Sequence, residues 1–274
     1  EEQLKRLELK DEGKAVEIPC IAGGAYHGYP RVFALAAEIV GHMEARVCEQ
    51  DLAEFLTAYQ SFSPLSIKEL WMFPDMLAVS LIKAAAGVAA RSLLAHRMKA
   101  EAKRTAQLLE KRSGRPYREF AARIFSPEHR DVVKNSTYIK SLYTLLRDDP
   151  KNAEALMVLD RRLQREDLTA EALIRLEHGR QAKNQAVIAN AITSVRMLSQ
   201  IIWEDLFERL SVVDAILQKD PVYAGMDFES REYYRRMVES AAKAMKLSEA
   251  AVAKEAVRLM ENAREPEDHT GYYL

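Results

Sequence analysis

Residues 203–218 read WEDLFERLSVVDAILQ, and residues 220–236 read DPVYAGMDFESREYYRR. In the first stretch Trp203, Leu206, Phe207, Leu210, Val213 and Leu217 recur at steps of three and four. That spacing lines one face of a 3.6-residue helix; a strand would alternate in twos. It predicts a single amphipathic helix over 203–218. Asp220-Pro221 ends it, because the residue before a proline is pushed out of the helical region. Gly225 admits a turn. Asp227 is an N-cap and Glu229 lies in the favourable first turn, so a new helix is expected over 228–246. On it Glu232 is spaced to pair with Arg236 and Arg235 with Glu239, each at i, i+4. Tyr234, Val238, Ala241 and Met245 form an apolar stripe. Tyr223 and Arg231 have no local role, which marks both as candidates for contact with another molecule or domain.

The same pattern extends outward in both directions. Pro30 opens a helical run at RVFALAAEIVGHMEARV, and a short helix follows at 51–61. Ser66 and Glu69 form a capping box ahead of a helix that Pro74 kinks or restarts and that runs to about Arg112. Further helices fit 115–125, 134–147, 152–165, a run capped by Thr169 to about 183, 185–200, and 249–264 capped by Ser248. Ser126-Pro127 is another start signal. Strand-like alternation never persists. The expectation is an all-α chain of about ten to twelve helices packed as antiparallel pairs, with no significant β-sheet. Residues 1–29 read as an irregular segment with a short helix at its start, 30–264 as a helical domain with a subdivision near 113–130, and 265–274 as a C-terminal segment.

Composition agrees. Ten glycines and nine prolines in 274 residues fall well below the usual combined share of about 12%. A formal net charge of −1 gives no global pull toward nucleic acid. Cys20 and Cys48 offer neither a metal spacing nor a disulfide framework, so a reducing compartment is the default. The longest apolar stretch, MLAVSLIKAAAGVAA at 76–90, is shorter than the roughly 20 residues of a spanning helix and reads as a buried helix. From 91 to about 118, nine Lys or Arg stand against two Glu. Such a run is a solvated face, or a contact for anionic lipid or an acidic neighbouring domain. The chain begins without Met and stops at HTGYYL, which reads as a piece of a longer protein.

The residues supply little catalytic chemistry. Six scattered histidines include no pair at i, i+4, no GxSxG elbow occurs, and IAGGAYHG lacks the spacing of a phosphate loop. Asp148-Asp149 imitates a metal-binding acid pair, but no strand precedes it. Tyr29 and Arg31 at a helix entry, and Trp71 beside Pro74, have the polar and aromatic character of a sugar or domain contact, with core anchoring the alternative for Trp71. Asn190, Thr193 and Ser194 are poor helix formers inside a helical run; they bond to backbone across a helix contact or line a site.

Several ordered strings resemble the cyclic β-1,2-glucan synthases of bacteria. They are GYPRVFALAAEIVGH, AYQSFSPLSIKELWMFPDML, NAITSVRMLSQIIWEDLFERLSVVDAILQKDPVYAGMDFESREYYRRMVE, LSEAAVAKEAV and DHTGYYL. They cover roughly 28–83 and 184–274; residues 90–170 match weakly. The resemblance implies a place in the N-terminal part of a large inner-membrane protein, before its membrane spans and glycosyltransferase core. There UDP-glucose and a divalent metal would bind elsewhere in the parent, with no cofactor in this segment. It implies a non-catalytic accessory domain on the cytoplasmic face, bracing the transferase or guiding the glucan. The implied partners are the transferase and membrane-spanning parts of the same polypeptide, β-1,2-glucan, and no nucleic acid. Where the family often carries RLALIENLRRLA, this chain has AVSLIKAAAGVAARSLL, so contacts made by those charges do not transfer. A glucan-binding module and a free-standing helical adaptor are the alternatives. On all of these readings Tyr29, Arg31, Trp71, Asn190, Tyr223 and Arg231 are the residues to inspect for sugar or domain contact, with no catalytic or metal residue expected.

Overall fold

Short-range capping chemistry sets most of the helix starts. The computed structural model describes residues 18–111, 117–125, 134–262 and 269–274. Among these residues the α-helices are α1 (Arg31–His42), α2 (Glu49–Gln60), α3 (Ile67–Glu110), α4 (Tyr117–Ile124), α5 (Ser136–Leu146) and α6 (Ala153–Gln164). They continue as α7 (Ala170–Leu198), α8 (Trp203–Leu210), α9 (Val212–Leu217), α10 (Pro221–Ala224), α11 (Phe228–Met245) and α12 (Glu249–Glu261). The described residues contain no strand, only an isolated bridge between Cys20 and Pro30. The expected all-α class is therefore the observed one.

The caps are made as the spacing implies. Glu69 N–H donates to Ser66 Oγ at 3.2 Å, and Glu69 Oε2 accepts from Ser66 N–H at 3.0 Å, closing the capping box of α3. Ser230 N–H donates to Asp227 Oδ1 at 2.8 Å at the start of α11. Ala251 N–H donates to Ser248 Oγ at 3.2 Å at the start of α12, and Ala172 N–H to Thr169 Oγ1 at 3.2 Å at the start of α7.

Three departures have local causes. The helix expected over 203–218 is two, because Ser211 leaves the helical region with ψ 113 and turns its hydroxyl to accept from Asp214 N–H. The break expected near 184 does not occur, and α3 runs through Pro74 without restarting: α7 and α3 are each continuous. The start signal at Ser126-Pro127 and the short helix at the chain start lie outside the described residues. The expectation that 76–90 is a buried helix holds for half of it. Met76, Leu77, Ala78 and Leu81 are core, but Ile82, Ala86, Ala89 and Ala90 are exposed. By length and composition α3 is the described helix that could cross a membrane, and 28% of its most apolar window is buried.

The chain forms two compact units. One takes Glu1–Lys83 with Asn190–Leu274, and the other Ala84–Ala189. In the first, α12 packs against both α9 and α11, and α8 against α2. Its core includes Leu52, Leu56, Leu77, Leu217 and Val238. In the second, α4 packs on α6, and Leu109, Phe125, Ile139, Leu142 and Leu159 are fully or nearly fully buried. Within the subdivision expected near 113–130, residues 113–116 and 126–130 lie outside the described residues.

Candidate functional site

The site is built around α11, which follows the break at Asp220-Pro221 and the short helix α10. Asp220 is fully buried and accepts three hydrogen bonds. Val222 N–H donates to Oδ1 at 2.8 Å, starting α10, and Thr270 donates to Oδ2 from both its N–H and its hydroxyl, each at 2.7 Å. The HTGYYL segment is thus tied to the Asp-Pro break. Gly271 lies directly against the Tyr234 ring, where a Cβ would collide with it.

Beneath α11 is a buried polar network. Tyr223 is fully buried and its hydroxyl donates to Asp214 Oδ1 at 2.6 Å. Burial, and then the neighbouring Asp214 carboxylate, push the Tyr223 phenol far above its ordinary range, so it remains a donor. Arg235, also fully buried, donates from Nη1 to the same Asp214 oxygen at 2.9 Å and from Nε to Glu232 Oε2 at 3.1 Å. Its Nη1 stands 3.6 Å from Glu208, which pairs with Arg231 at 3.3 Å. The Arg235 guanidinium carbon lies 5.1 Å from the Phe207 ring centre and 4.9 Å from that of Phe228, a cation–π arrangement that occupies its remaining faces. Trp71 stacks on Phe207 at 4.5 Å and meets Phe228 edge-on.

One pairing and one stripe position read from spacing are corrected here. Arg235 does not pair with Glu239; it turns inward to Asp214, Glu232 and Glu208 because the face it occupies, with Val238 and Ala242, is the buried one. Met245, placed on the apolar stripe, is 62% exposed. The Glu232–Arg236 pair does form, at 3.5 Å.

Two hollows open beside this network. A cleft of about 840 Å³ is lined by Arg31, Ser66, Glu69, Glu239, Lys243 and Glu249 among others. A second, of about 410 Å³, is lined by Phe228, Glu229, Glu232, Tyr233 and Arg236.

The residues singled out in the sequence fall in four places. Trp71, Tyr223 and Arg231 come together in the network under α11. Arg31 lines the larger cleft, where its Nε and Nη2 donate to Glu69 at 2.9 and 2.6 Å and Nη1 donates to Ser63 Oγ at 2.6 Å. Tyr29 is half-exposed, stacked on Phe33 at 5.2 Å, with the Lys83 ammonium 5.8 Å from its ring. Asn190 sits on α7 and donates to the Glu44 carbonyl at 3.0 Å. Beside it Ser194 donates to the Ala45 carbonyl at 2.7 Å and accepts from Val47 N–H at 2.9 Å. Glu44 and Ala45 have positive φ, so α7 side chains hold a left-handed loop in place.

Sequence reasoning passed over Phe228, Glu232, Tyr233, Arg235, Arg236 and Asp214 as binding groups. The signal for three of the missed positions, 232, 233 and 236, was their spacing with 229, which shares one helix face. Among the described residues, no group of three or more His, Cys, Asp or Glu is arranged to hold a metal ion.

No family model matches the chain. The chain is similar to the cyclic beta-(1,2)-glucan synthase NdvB of Rhizobium meliloti (strain 1021), at 28% identity over 236 residues. That match covers 86% of this chain and 8% of the relative, so the chain spans a small part of the curated protein it matches. The resemblance to cyclic β-1,2-glucan synthases carried by the ordered strings is thus supported by an alignment running through most of the chain.

Proposed function

We propose that the chain is a non-catalytic helical accessory domain of a membrane-bound cyclic β-1,2-glucan synthase, placed on the cytoplasmic face. It braces the glycosyltransferase part of the same polypeptide or guides the glucan. The observation that carries this reading is the similarity to a cyclic glucan synthase over 86% of the chain, confined to 8% of that protein. The parent's UDP-glucose and divalent metal would bind elsewhere. A bracing role is also consistent with the outer face of α3, where exposed Leu93, Leu94 and Leu108 lie among Arg97, Lys99, Lys103 and Arg104.

Two measurements test the proposal. The isolated 274-residue chain, given UDP-glucose and a divalent metal, is expected to transfer no glucose; robust turnover overturns the non-catalytic reading. In-frame removal of the segment from a full-length synthase is expected to abolish or impair cyclic glucan production. Unimpaired production at normal protein levels overturns the accessory role.

A further inference from the structure

The outer face of α11 combines an exposed aromatic ring with a carboxylate fixed from below. Glu229, Glu232, Tyr233 and Arg236 follow the i, i+3, i+4, i+7 spacing, and with Phe228 they line the hollow of about 410 Å³. That volume lies in the range of small-molecule sites, about 300–1,000 Å³. Tyr233 is 63% exposed, so its ring is available as a platform. The Phe228 ring contacts both Trp71, edge-on, and the Arg235 guanidinium.

Glu232 is the centre of the arrangement. Its Oε2 accepts from Arg235 Nε at 3.1 Å, and its Oε1 stands 3.5 Å from Arg236 Nε. Arg235 itself is fully buried, bonded to Asp214 and set against two phenyl rings, so the carboxylate is anchored by a buried group. A fully buried arginine with several carboxylates adds little net stability over an apolar packing of the same volume. Holding a binding group in a fixed geometry is a use that does justify such a network.

The chemistry of the lining selects the ligand class. Two carboxylates repel a phosphate. The charged side chains around the ring disfavour a purely apolar ligand. A neutral pyranose suits Tyr233, Glu232 and Arg236 together: its C–H face stacks on Tyr233, adjacent hydroxyls donate to the Glu232 oxygens, and Arg236 donates to a hydroxyl or ring oxygen. The geometry points to a subsite on α11 for a glucosyl unit of a glucan chain, with Tyr233 as platform and Glu232 as acceptor. This rests on the proposed place in a glucan synthase and assigns the segment the guiding role.

The test uses the 274-residue chain alone, titrated with β-1,2-linked gluco-oligosaccharide and, separately, with inorganic phosphate, by calorimetry and by NMR of α11 resonances. Saturable glucan binding at millimolar level is expected, weakened about tenfold by Tyr233→Ala and retained by Tyr233→Phe. Glu232→Gln is expected to weaken it similarly; because Glu232 also contacts Arg235, thermal melting of that variant is followed in parallel. The exposed Tyr233 variants do not depend on that control. No saturable binding up to about 20 mM glucan, binding untouched by Tyr233→Ala, or α11 shifts with phosphate alone would each overturn the subsite. Because the synthase is absent from this measurement, a negative result leaves the bracing role standing. The deletion described above tests that role separately.

Discussion

Arg235 Nη1 and Asp214 Oδ1 lie 2.9 Å apart with both side chains buried, joining α11 to the short helix α9 across 21 residues of sequence. The same Asp214 oxygen accepts from Tyr223, so one carboxylate fixes the positions of α10 and α11 together.

Removing either partner strands the other. Arg235→Met leaves Asp214 with the Tyr223 hydroxyl and the Gln218 amide, and Asp214→Leu leaves a buried guanidinium short of its main counter-charge. Each is expected to cost about 3–5 kcal/mol. The double variant Arg235→Met with Asp214→Leu should recover much of that loss, because it buries no charge at this contact. Urea denaturation of the four proteins measures the coupling; additive losses would show that the pair does not act as a unit.

Ser194→Ala is expected to destabilise the first unit by about 1–3 kcal/mol through the unpaired Val47 N–H and Ala45 carbonyl it leaves buried. It should also loosen the positive-φ loop at Glu44 and Ala45, seen as faster amide exchange at 45–47. Ser194→Thr keeps the hydroxyl and serves as the conservative comparison. Unchanged exchange in the alanine variant would mean that the loop is held by other groups.

The helical class and the caps were legible because they depend on neighbours three and four residues away. Ser66, Asp227 and Ser248 could each be read from such short spacing. The continuity of α7 was not, since Gly179 and Asn184 lower helix propensity by amounts that burial of Ala191, Ser194 and Leu198 overrides. The break at Ser211 was hidden inside an unbroken apolar period. Arg235 was misassigned for a different reason. Spacing placed it next to Glu239, but its partner Asp214 lies on another helix, and only tertiary packing makes its face the inner one.

Asp220 carries an acid-side dependence. Burial alone would raise its pKa, but the hydrogen bonds from Thr270 and Val222 outweigh burial and hold the carboxyl below its ordinary value. A depressed folded pKa means that this contribution is present above the unfolded value of about 3.9 and is lost as pH falls through the lower folded value. Asp220→Asn is therefore expected to cost about 1.5–3 kcal/mol near neutrality, the worth of hydrogen bonds to a charged group. The cost should narrow below about pH 4. The C-terminal turn at Thr270–Tyr272 should be released in the variant, with proteolysis near residue 269 as the readout. A cost that stays constant down to strongly acid pH would contradict this account.

Glu249 has the opposite sign. Burial raises its pKa most, and nearby Glu239 and Glu69 raise it further; the hydrogen bond from Ile67 N–H, 2.8 Å away, works in the other direction. With a raised folded pKa, the folded chain binds this proton more tightly than the unfolded chain. The associated stability is complete below the ordinary value of about 4.3 and is lost as pH rises through the folded value. At neutral pH the ionised group is a net liability in the large cleft. Glu249→Gln keeps an acceptor for Ile67 N–H and removes the repulsion. It should raise stability near pH 7 while changing it little near pH 4. Paired denaturation curves at the two pH values measure this difference. A variant less stable at pH 7 would show that favourable charge at the start of α12 outweighs burial and like-charge repulsion.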